Sequence, residues 1–286
     1  MDLTQLEVFR AVAEEGSVTA AADKLHRVPS NISTRLKQLE EELGCVLFRR
    51  EKLRLHMTDS GRTFLDYTRR ILALTAEAKQ SVSGQQPGGI FTLGAIESFA
   101  AVRLPPLIAR YHQSWPQVEL DLTTGPSGDM IDGVLGGHYS AAFIDGPPKH
   151  PQLEGVPVVD EEMVLISALN HPPVPDATSI SGATIYAFRA NCSYRRLFEN
   201  WFSRENAAPG KIFEMESYHG ILACVSAGAG LALIPRSMLD NMPGRDNVHA
   251  WPLSEGMGQI AIWLVWRKGM RSNNLQAMAR LLQEAG

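Results

Sequence analysis

Ala20-Ala21-Ala22-Asp23-Lys24-Leu25-His26-Arg27-Val28-Pro29-Ser30-Asn31-Ile32-Ser33-Thr34-Arg35-Leu36-Lys37-Gln38-Leu39-Glu40 reads as a short helix, a tight turn and a second helix. In the second helix Ile32, Leu36, Leu39 and Leu43 recur at helical spacing and form a buried stripe. That stripe leaves Asn31, Thr34, Arg35, Lys37 and Gln38 facing outward. From Lys24 to Leu39 the basic residues are Lys24, Arg27, Arg35 and Lys37, with no Asp or Glu among them. Short hydroxyls, amides and arginines on one exposed helix match the donor and acceptor pattern of a DNA major groove. The stretch predicts a helix-turn-helix that contacts DNA.

The flanking residues extend this motif. A helix is expected from a cap near Thr4, with Leu6, Phe9, Val12 and Ala13 at helical spacing and Gly16 as its stop. Ser17 caps the next helix and Ser30 the one after it, which Gly44 ends. Val46 to Met57 places apolar residues around a basic centre of Arg49, Arg50, Lys52 and Arg54, and reads as a β-hairpin wing. Thr58 then caps a long helix to about Ser83, in which Phe64, Tyr67, Ile71, Leu74 and Ala78 alternate by three and four. This stripe is either packed on its own domain or a dimer seam, being too short to prove a coiled coil.

Gly84-Gln85-Gln86-Pro87-Gly88-Gly89 is a linker. Beyond it the pattern changes. Strands are expected at Ile90–Ile96, Val118–Thr123, Ala141–Ile144, Met163–Ser167, Ile185–Phe188, Ile212–Glu216, Leu231–Ile234, Val248–Trp251 and Ile260–Trp266. Helices lie between several of them, including one from Ser98 interrupted by Pro105-Pro106, others after Ser193 and Ser217, and a last one from about Asn273. Alternating β and α elements argue a doubly wound α/β sheet.

At 286 residues the chain has room for about two domains. Its net charge of −4 gives no sign of nucleic acid. The balance is uneven, however: residues 1–84 carry 13 Lys/Arg against 12 Asp/Glu, so DNA binding rests on local charge. The cysteines, Cys45, Cys192 and Cys224, show no disulfide or zinc spacing, and neither a metal nor a cofactor is expected. Cys192, beside two arginines, has the setting for a lowered thiol pKa and oxidant sensing; Cys45 and Cys224 read as core residues. No signal pattern or membrane-length apolar run is visible, so a cytoplasmic location with no membrane partner is expected.

Residues 1–65 resemble the LysR-type transcriptional regulators. The resemblance is carried by Leu6-Glu7-Val8-Phe9, Gly16-Ser17-Val18-Thr19-Ala20-Ala21-Ala22, Leu25-His26, Leu39-Glu40-Glu41-Glu42-Leu43-Gly44, Leu47-Phe48-Arg49-Arg50 and Leu55-His56-Met57-Thr58-Asp59-Ser60-Gly61. Phe91-Thr92-Leu93-Gly94 with Leu104-Pro105, and Ala227-Gly228-Ala229-Gly230-Leu231-Ala232-Leu233-Ile234-Pro235, are similar to the family's effector domain. The resemblance implies an α/β chain with an N-terminal winged helix-turn-helix (1–58) and a linker and dimerisation helix with a hinge (59–89). A two-lobed effector domain resembling periplasmic solute-binding proteins follows (90–286). Lobe I would span about 90–161 and 267–286, and lobe II about 162–266. It further implies dimers assembled into tetramers, and DNA bending relaxed or shifted by a small-molecule effector. The family commonly carries a Ser-Gln pair at the turn into the recognition helix. This chain has Val28-Pro29-Ser30, and a proline cannot offer adenine the bidentate amide contact of a glutamine.

In a helix-turn-helix the second helix presents its N-terminal residues to base edges. The expected base contacts are Ser30, Asn31, Ser33, Thr34 and Arg35, with Arg35 suited to guanine and Asn31 to adenine. Arg27, Lys37, Arg49, Arg50, Lys52 and Arg54 are expected on phosphates. Taken singly, each charge also fits a solvated face.

In the C-terminal domain, ligands of an α/β sheet sit beyond the strand C-termini. Three such places carry Glu97-Ser98, Thr124 to Gly128, and Arg189 to Arg195. The resemblance implies effector contacts from these places and so makes Ser98, Thr124, Ser127, Asn191 and Ser193 candidates, joined by Glu97, Arg189 and Arg195 for their charge and by Tyr218 from the Ser217 cap. A small polar effector with an anionic group would suit Arg189 or Arg195. Glu97 either pairs with one of those arginines or binds an amine, so carboxylate- and amine-bearing metabolites both fit. For Ser98, Ser193 and Ser217 the plainer reading is helix capping, and for the arginines an ion pair.

Two other functions compete. An enzyme on the α/β domain would need a nucleophile elbow, a P-loop or a metal-binding histidine cluster, and none is visible. Asp145-Gly146 and Glu161-Glu162 read as loop and hinge residues. An architectural DNA binder, whose C-terminal domain only oligomerises, differs from a ligand-responsive regulator in having a footprint that no effector changes.

Overall fold

In a computed structural model, residues 1–51, 54–83 and 86–285 are described, without the side chains of 50, 51, 54, 77, 80–83, 255 and 285. Two compact units emerge, 1–85 with 136–138 and 86–135 with 139–286.

The first unit opens with α1 (Leu3–Glu15), capped by Asp2 and not near Thr4. The Asp2 carboxylate accepts from the Gln5 N–H, and the Gln5 side chain accepts from the Asp2 N–H, closing a capping box. Helix α2 (Val18–Lys24) is capped by Ser17 as expected. It ends in a Schellman turn: the Arg27 N–H donates to the Ala22 carbonyl, the His26 N–H to Asp23, and His26 takes φ 51°. Helix α3 (Pro29–Leu43) begins one residue before the expected cap. Pro29 occupies its first turn, where a missing N–H costs nothing, and Val28, not Ser30, is the N-cap residue.

Strands β1 (Phe48–Glu51) and β2 (Arg54–Met57) form the antiparallel wing. The Glu40 carboxylate accepts from the Leu47 and Phe48 N–H groups at 2.7 and 3.1 Å and fixes the wing to α3. Helix α4 (Asp59–Ser83) is capped by Thr58, whose hydroxyl accepts from the Gly61 N–H at 3.0 Å. A Cβ at Gly61 would meet the Leu47 carbonyl oxygen, so the helix can approach the wing only with glycine there. The core is Val8, Phe9, Val12, Ala21, Ala22, Ile32, Leu36, Leu39, Leu47 and Leu65, with Phe9 packed on Phe48 and Phe64. Of the expected α4 stripe, Phe64 turns into this core, while Tyr67 and Leu74 are exposed.

The second unit contains β3 (Gly89–Ala95), α5 (Glu97–Val102), α6 (Leu104–Ser114), β4 (Val118–Thr124), α7 (Ser127–Gly136), β5 (Ala141–Asp145), β6 (Leu153–Ala168), β7 (Ile185–Ala187), α8 (Ser193–Arg204), β8 (Ile212–Glu214), α9 (Tyr218–Ser226), β9 (Leu231–Pro235), α10 (Arg236–Asp240), β10 (Val248–Pro252), β11 (Gln259–Arg267) and α11 (Asn273–Ala285). The strand order is β4-β3-β5-β11-β6-β9-β7-β8, with β10 also on β6.

The strand expected at Met163–Ser167 is longer, with 16 residues. Its first half, Leu153–Glu162, pairs with β11, and its second half with β9 and β10. The pairing with β11 shifts register between Val159 and Pro157, leaving Val158 without a partner beside a proline that cannot donate. Because β11 pairs with both β5 and β6, it belongs to the lobe I sheet. The expected lobe II of 162–266 had included nearly all of β11. The crossing from one sheet to the other falls at Glu162 and Met163. Buried apolar residues cover the sheets on both faces. Among the described residues no helix is long and apolar enough to cross a membrane.

Candidate functional sites

Ser30, Asn31, Ser33, Thr34, Lys37 and Gln38 are exposed along one face of α3, opposite Ile32, Leu36 and Leu39. Among the described residues the side chains of Ser30, Asn31, Ser33 and Gln38 make no hydrogen bond. The Thr34 hydroxyl donates to the Ser30 carbonyl at 2.9 Å, which spends its proton inside the helix and leaves only its lone pairs outward. Lys37 lies 3.6 Å from Glu41, an exposed pair worth little.

Arg35 departs from the expectation. It lies on the flank of the buried stripe, its guanidinium 3.6 Å from the Asp2 carboxylate and its Nε buried without a partner. In this position it faces the start of α1 through a loose pair like that of Lys37 and Glu41. Arg27 and Arg49 are exposed, in the turn and on the wing. Lys52, and the side chains of Arg50 and Arg54, lie outside the described residues.

In the second unit a cleft of about 250 Å³ is lined by Ile96, Glu97, Ser98, Thr124, Gly125, Pro126, Ser127, Phe188, Arg189, Cys192, Ser193, Tyr194, Glu216 and Tyr218. It lies beyond the C-terminal ends of β3, β4 and β7, where the loops leave both sheets. Of the expected residues, Glu97, Ser98, Thr124, Ser127, Arg189, Ser193 and Tyr218 line it. Asn191 and Arg195 do not. Asn191 donates to Asp129 at 2.7 Å. Arg195 donates to Glu199 and Glu214 at 2.9 and 2.6 Å, and to the Phe188 carbonyl at 3.2 Å.

The polar groups of the cleft are largely bonded to one another. Ser127 and Ser193 both donate to the Asp145 carboxylate, Ser193 at 2.5 Å, joining the first turns of α7 and α8. Arg189 forms a bidentate pair with Glu216. Its guanidinium and the Glu216 carboxyl are each held toward the charged form by that pair. Ser98 meets the Tyr194 hydroxyl at 3.3 Å. Tyr194 and Tyr218 are buried, and burial pushes both phenols well above their ordinary range. Of the three candidate capping serines, only Ser217 caps, accepting from the Gly220 N–H. Ser98 and Ser193 turn their hydroxyls to the cleft instead.

Glu97 is half-buried and makes neither a hydrogen bond nor an ion pair among the described residues. Burial raises its carboxyl, Glu216 adds to the rise, and His219 opposes it. Of the two alternatives for Glu97, the pairing with an arginine does not form among the described residues. Burial also pushes the Cys192 thiol up, the opposite of an activated redox cysteine. The sequence reading took Asp145 for a loop residue and Glu216 for the end of a strand, and gave neither a part in the site. Asp145 had one usable signal, its place at the end of a buried strand before Gly146, which takes φ 74°.

Comparison with known proteins bears on both sites. The LysR substrate binding domain matches residues 84–286, and the bacterial regulatory helix-turn-helix protein of the lysR family matches residues 3–62. The uncharacterized HTH-type transcriptional regulator YusT of Bacillus subtilis is 36% identical over 269 residues, covering 94% of this chain and 90% of the relative. A full-length point variant of OxyR from Pseudomonas aeruginosa has the same fold, with a TM-score of 0.76 at 21% identity over 99% of this chain and 95% of that one. CbnR complexed with its target DNA gives a TM-score of 0.70 at 22% identity, covering 100% of both chains. The chain belongs to the LysR family. It is a DNA-binding transcriptional regulator and not an enzyme.

Proposed function

We propose that DNA binding or bending by this chain is modulated by a small polar metabolite bound in the cleft between the two sheets of the C-terminal unit. The observation that carries this reading is the cleft itself. Its walls come from both sheets, and Ser127 and Ser193 converge there on Asp145. A ligand there competes for groups that otherwise hold the two sides together, and so has a differential interaction with open and closed forms. Glu97, Ser98, Thr124, Ser127, Arg189, Ser193 and Tyr218 are the contacts proposed.

At the DNA end, Ser30, Asn31, Ser33 and Thr34 face the major groove, and Arg27, Lys37, Arg49, Arg50, Lys52 and Arg54 hold phosphates. Arg35 joins the base contacts only if it leaves Asp2. The exposed Tyr67 and Leu74 of α4 supply an apolar seam for a dimer, with tetramers built from dimers. Footprinting and bend-angle measurements on operator DNA, with and without metabolite fractions, test the reading. A footprint and bend that shift with a fraction support it. A footprint and bend that no fraction changes would favour the architectural alternative.

A further inference from the structure

The charge balance of the cleft narrows the ligand class. Three charged side chains line it: Glu97, Glu216 and Arg189. Arg189 and Glu216 neutralise each other in a bidentate pair, leaving Glu97 with no ion-pair partner among the lining residues and only His219 acting against its burial. Glu97 has no partner among the described residues, although partial burial removes water from it. Beside it the cleft is walled by the rings of Phe188, Tyr194 and Tyr218, with Phe188 and Tyr218 packed at 4.8 Å between centroids. A lone desolvated carboxylate is costly and favours a cation. Aromatic rings attract a cation by their quadrupole. Neither feature rewards a carboxylate, which would meet Glu97 as a like charge.

From the cavity, the unpaired Glu97 and the aromatic wall, and resting on the effector reading above, we infer that the metabolite is an organic ammonium compound whose cationic nitrogen pairs with Glu97. The aliphatic part of the ligand lies against the rings, and its other polar end reaches Ser98 or Thr124. Arg189 stays with Glu216 and takes no part in charge recognition.

The test uses the full chain and calorimetry with three matched sets: amines of two to six carbons including ethanolamine and putrescine, the corresponding alcohols including 1,4-butanediol, and the corresponding carboxylates including succinate. An amine is expected to bind at least about tenfold more tightly than its alcohol and carboxylate counterparts. Glu97→Gln should lose that preference, with little effect on folding because the Glu97 side chain makes no hydrogen bond or ion pair among the described residues. As a measurement free of any substitution, amine affinity should weaken as pH falls, beginning above the usual carboxylate range, since burial and Glu216 raise the Glu97 carboxyl. Arg189 and the two tyrosines keep their charge states over that range. His219 also acts on Glu97, in the sense opposite to burial and Glu216, and Glu97→Gln should remove most of the pH dependence. Tighter binding of carboxylates, or an amine affinity that Glu97→Gln leaves unchanged, would overturn the ammonium assignment while leaving an effector cleft in place. Binding by none of the three sets, together with an operator footprint that no metabolite fraction alters, would overturn both.

Discussion

The exposed face of α3 and the cleft of the C-terminal unit are both polar, but they hold their polarity differently. On α3, Ser30, Asn31, Ser33 and Gln38 have unspent side chains pointing at solvent. In the cleft, Ser127 and Ser193 are bonded to Asp145, and Arg189 to Glu216. The first surface is ready to bind as built, because its donors are hydrated and its scaffold is a packed helix. The second must exchange internal bonds for bonds to a ligand. Such an exchange makes binding responsive to ligand identity, since only a ligand that replaces those bonds shifts the equilibrium. Glu97 is the exception in the cleft, the charged lining group with no hydrogen bond or ion pair among the described residues.

The comparison can be broken first at the scaffold that keeps the α3 face rigid. Glu40→Ala should destabilise the N-terminal unit by about 3 kcal/mol, because the Leu47 and Phe48 N–H groups lose a charged acceptor beside the core. Thermal unfolding measures this, and a change under about 0.5 kcal/mol, the usual size of a neutral surface substitution, would show that the wing does not depend on α3. On the face itself, Asn31→Ala should cost about 2 kcal/mol of operator affinity and relax preference at one base position, with stability unchanged. Competition binding against operator variants reads this. Arg35→Ala, by contrast, should lower stability and DNA affinity without altering base preference if the residue stays on Asp2. A changed base preference for Arg35→Ala would place it in the groove and redraw the face.

In the cleft the prediction reverses. Asp145→Ala should lower the stability of the C-terminal unit by about 1.5 kcal/mol, since the two serine hydroxyls lose a charged acceptor. Chemical denaturation would detect it. No loss of stability would mean that water satisfies Ser127 and Ser193, and the contrast with the α3 face would fail. The smallest effect belongs to the turn. His26→Gly should stabilise the N-terminal unit by roughly 0.5 kcal/mol, because glycine holds a left-handed backbone with less strain, partly offset by the greater freedom of the unfolded chain. A melting temperature that falls would show that the His26 side chain contributes more than its backbone strain costs.

Much of the fold was legible because the relevant signals are local. The stepping of Ile32, Leu36 and Leu39, the stops at Gly16 and Gly44, and the caps Ser17 and Thr58 lie within a few residues of what they control. Two caps were misplaced by a few residues. Asp2 outcompetes Thr4 through its reciprocal bond with Gln5, and Pro29 starts α3 ahead of Ser30. The first half of β6 was missed because Pro157 and the acids Asp160, Glu161 and Glu162 obscure a strand pattern. A bulge and the long partner β11 override that local composition.

The site was less legible for the same reason. Its position followed from the rule that loops at strand C-termini carry ligands together with the family resemblance, and seven of the nine residues expected there line the cleft. The state of those residues did not follow, because Asp145 meets Ser193 across 48 positions and Arg189 meets Glu216 across 27.

The sequence by itself determined that this chain is a LysR-family regulator with a helix-turn-helix and a two-lobed α/β domain, since periodicity, caps and contiguous motifs are properties of neighbouring residues. Only the tertiary structure decided which charges are spent. It turned Arg35 toward Asp2, paired Arg189 and Arg195 with glutamates, buried Cys192 and left Glu97 alone in the cleft. Charge compensation depends on distance through space and on the removal of water, and neither is written in the order of residues along the chain.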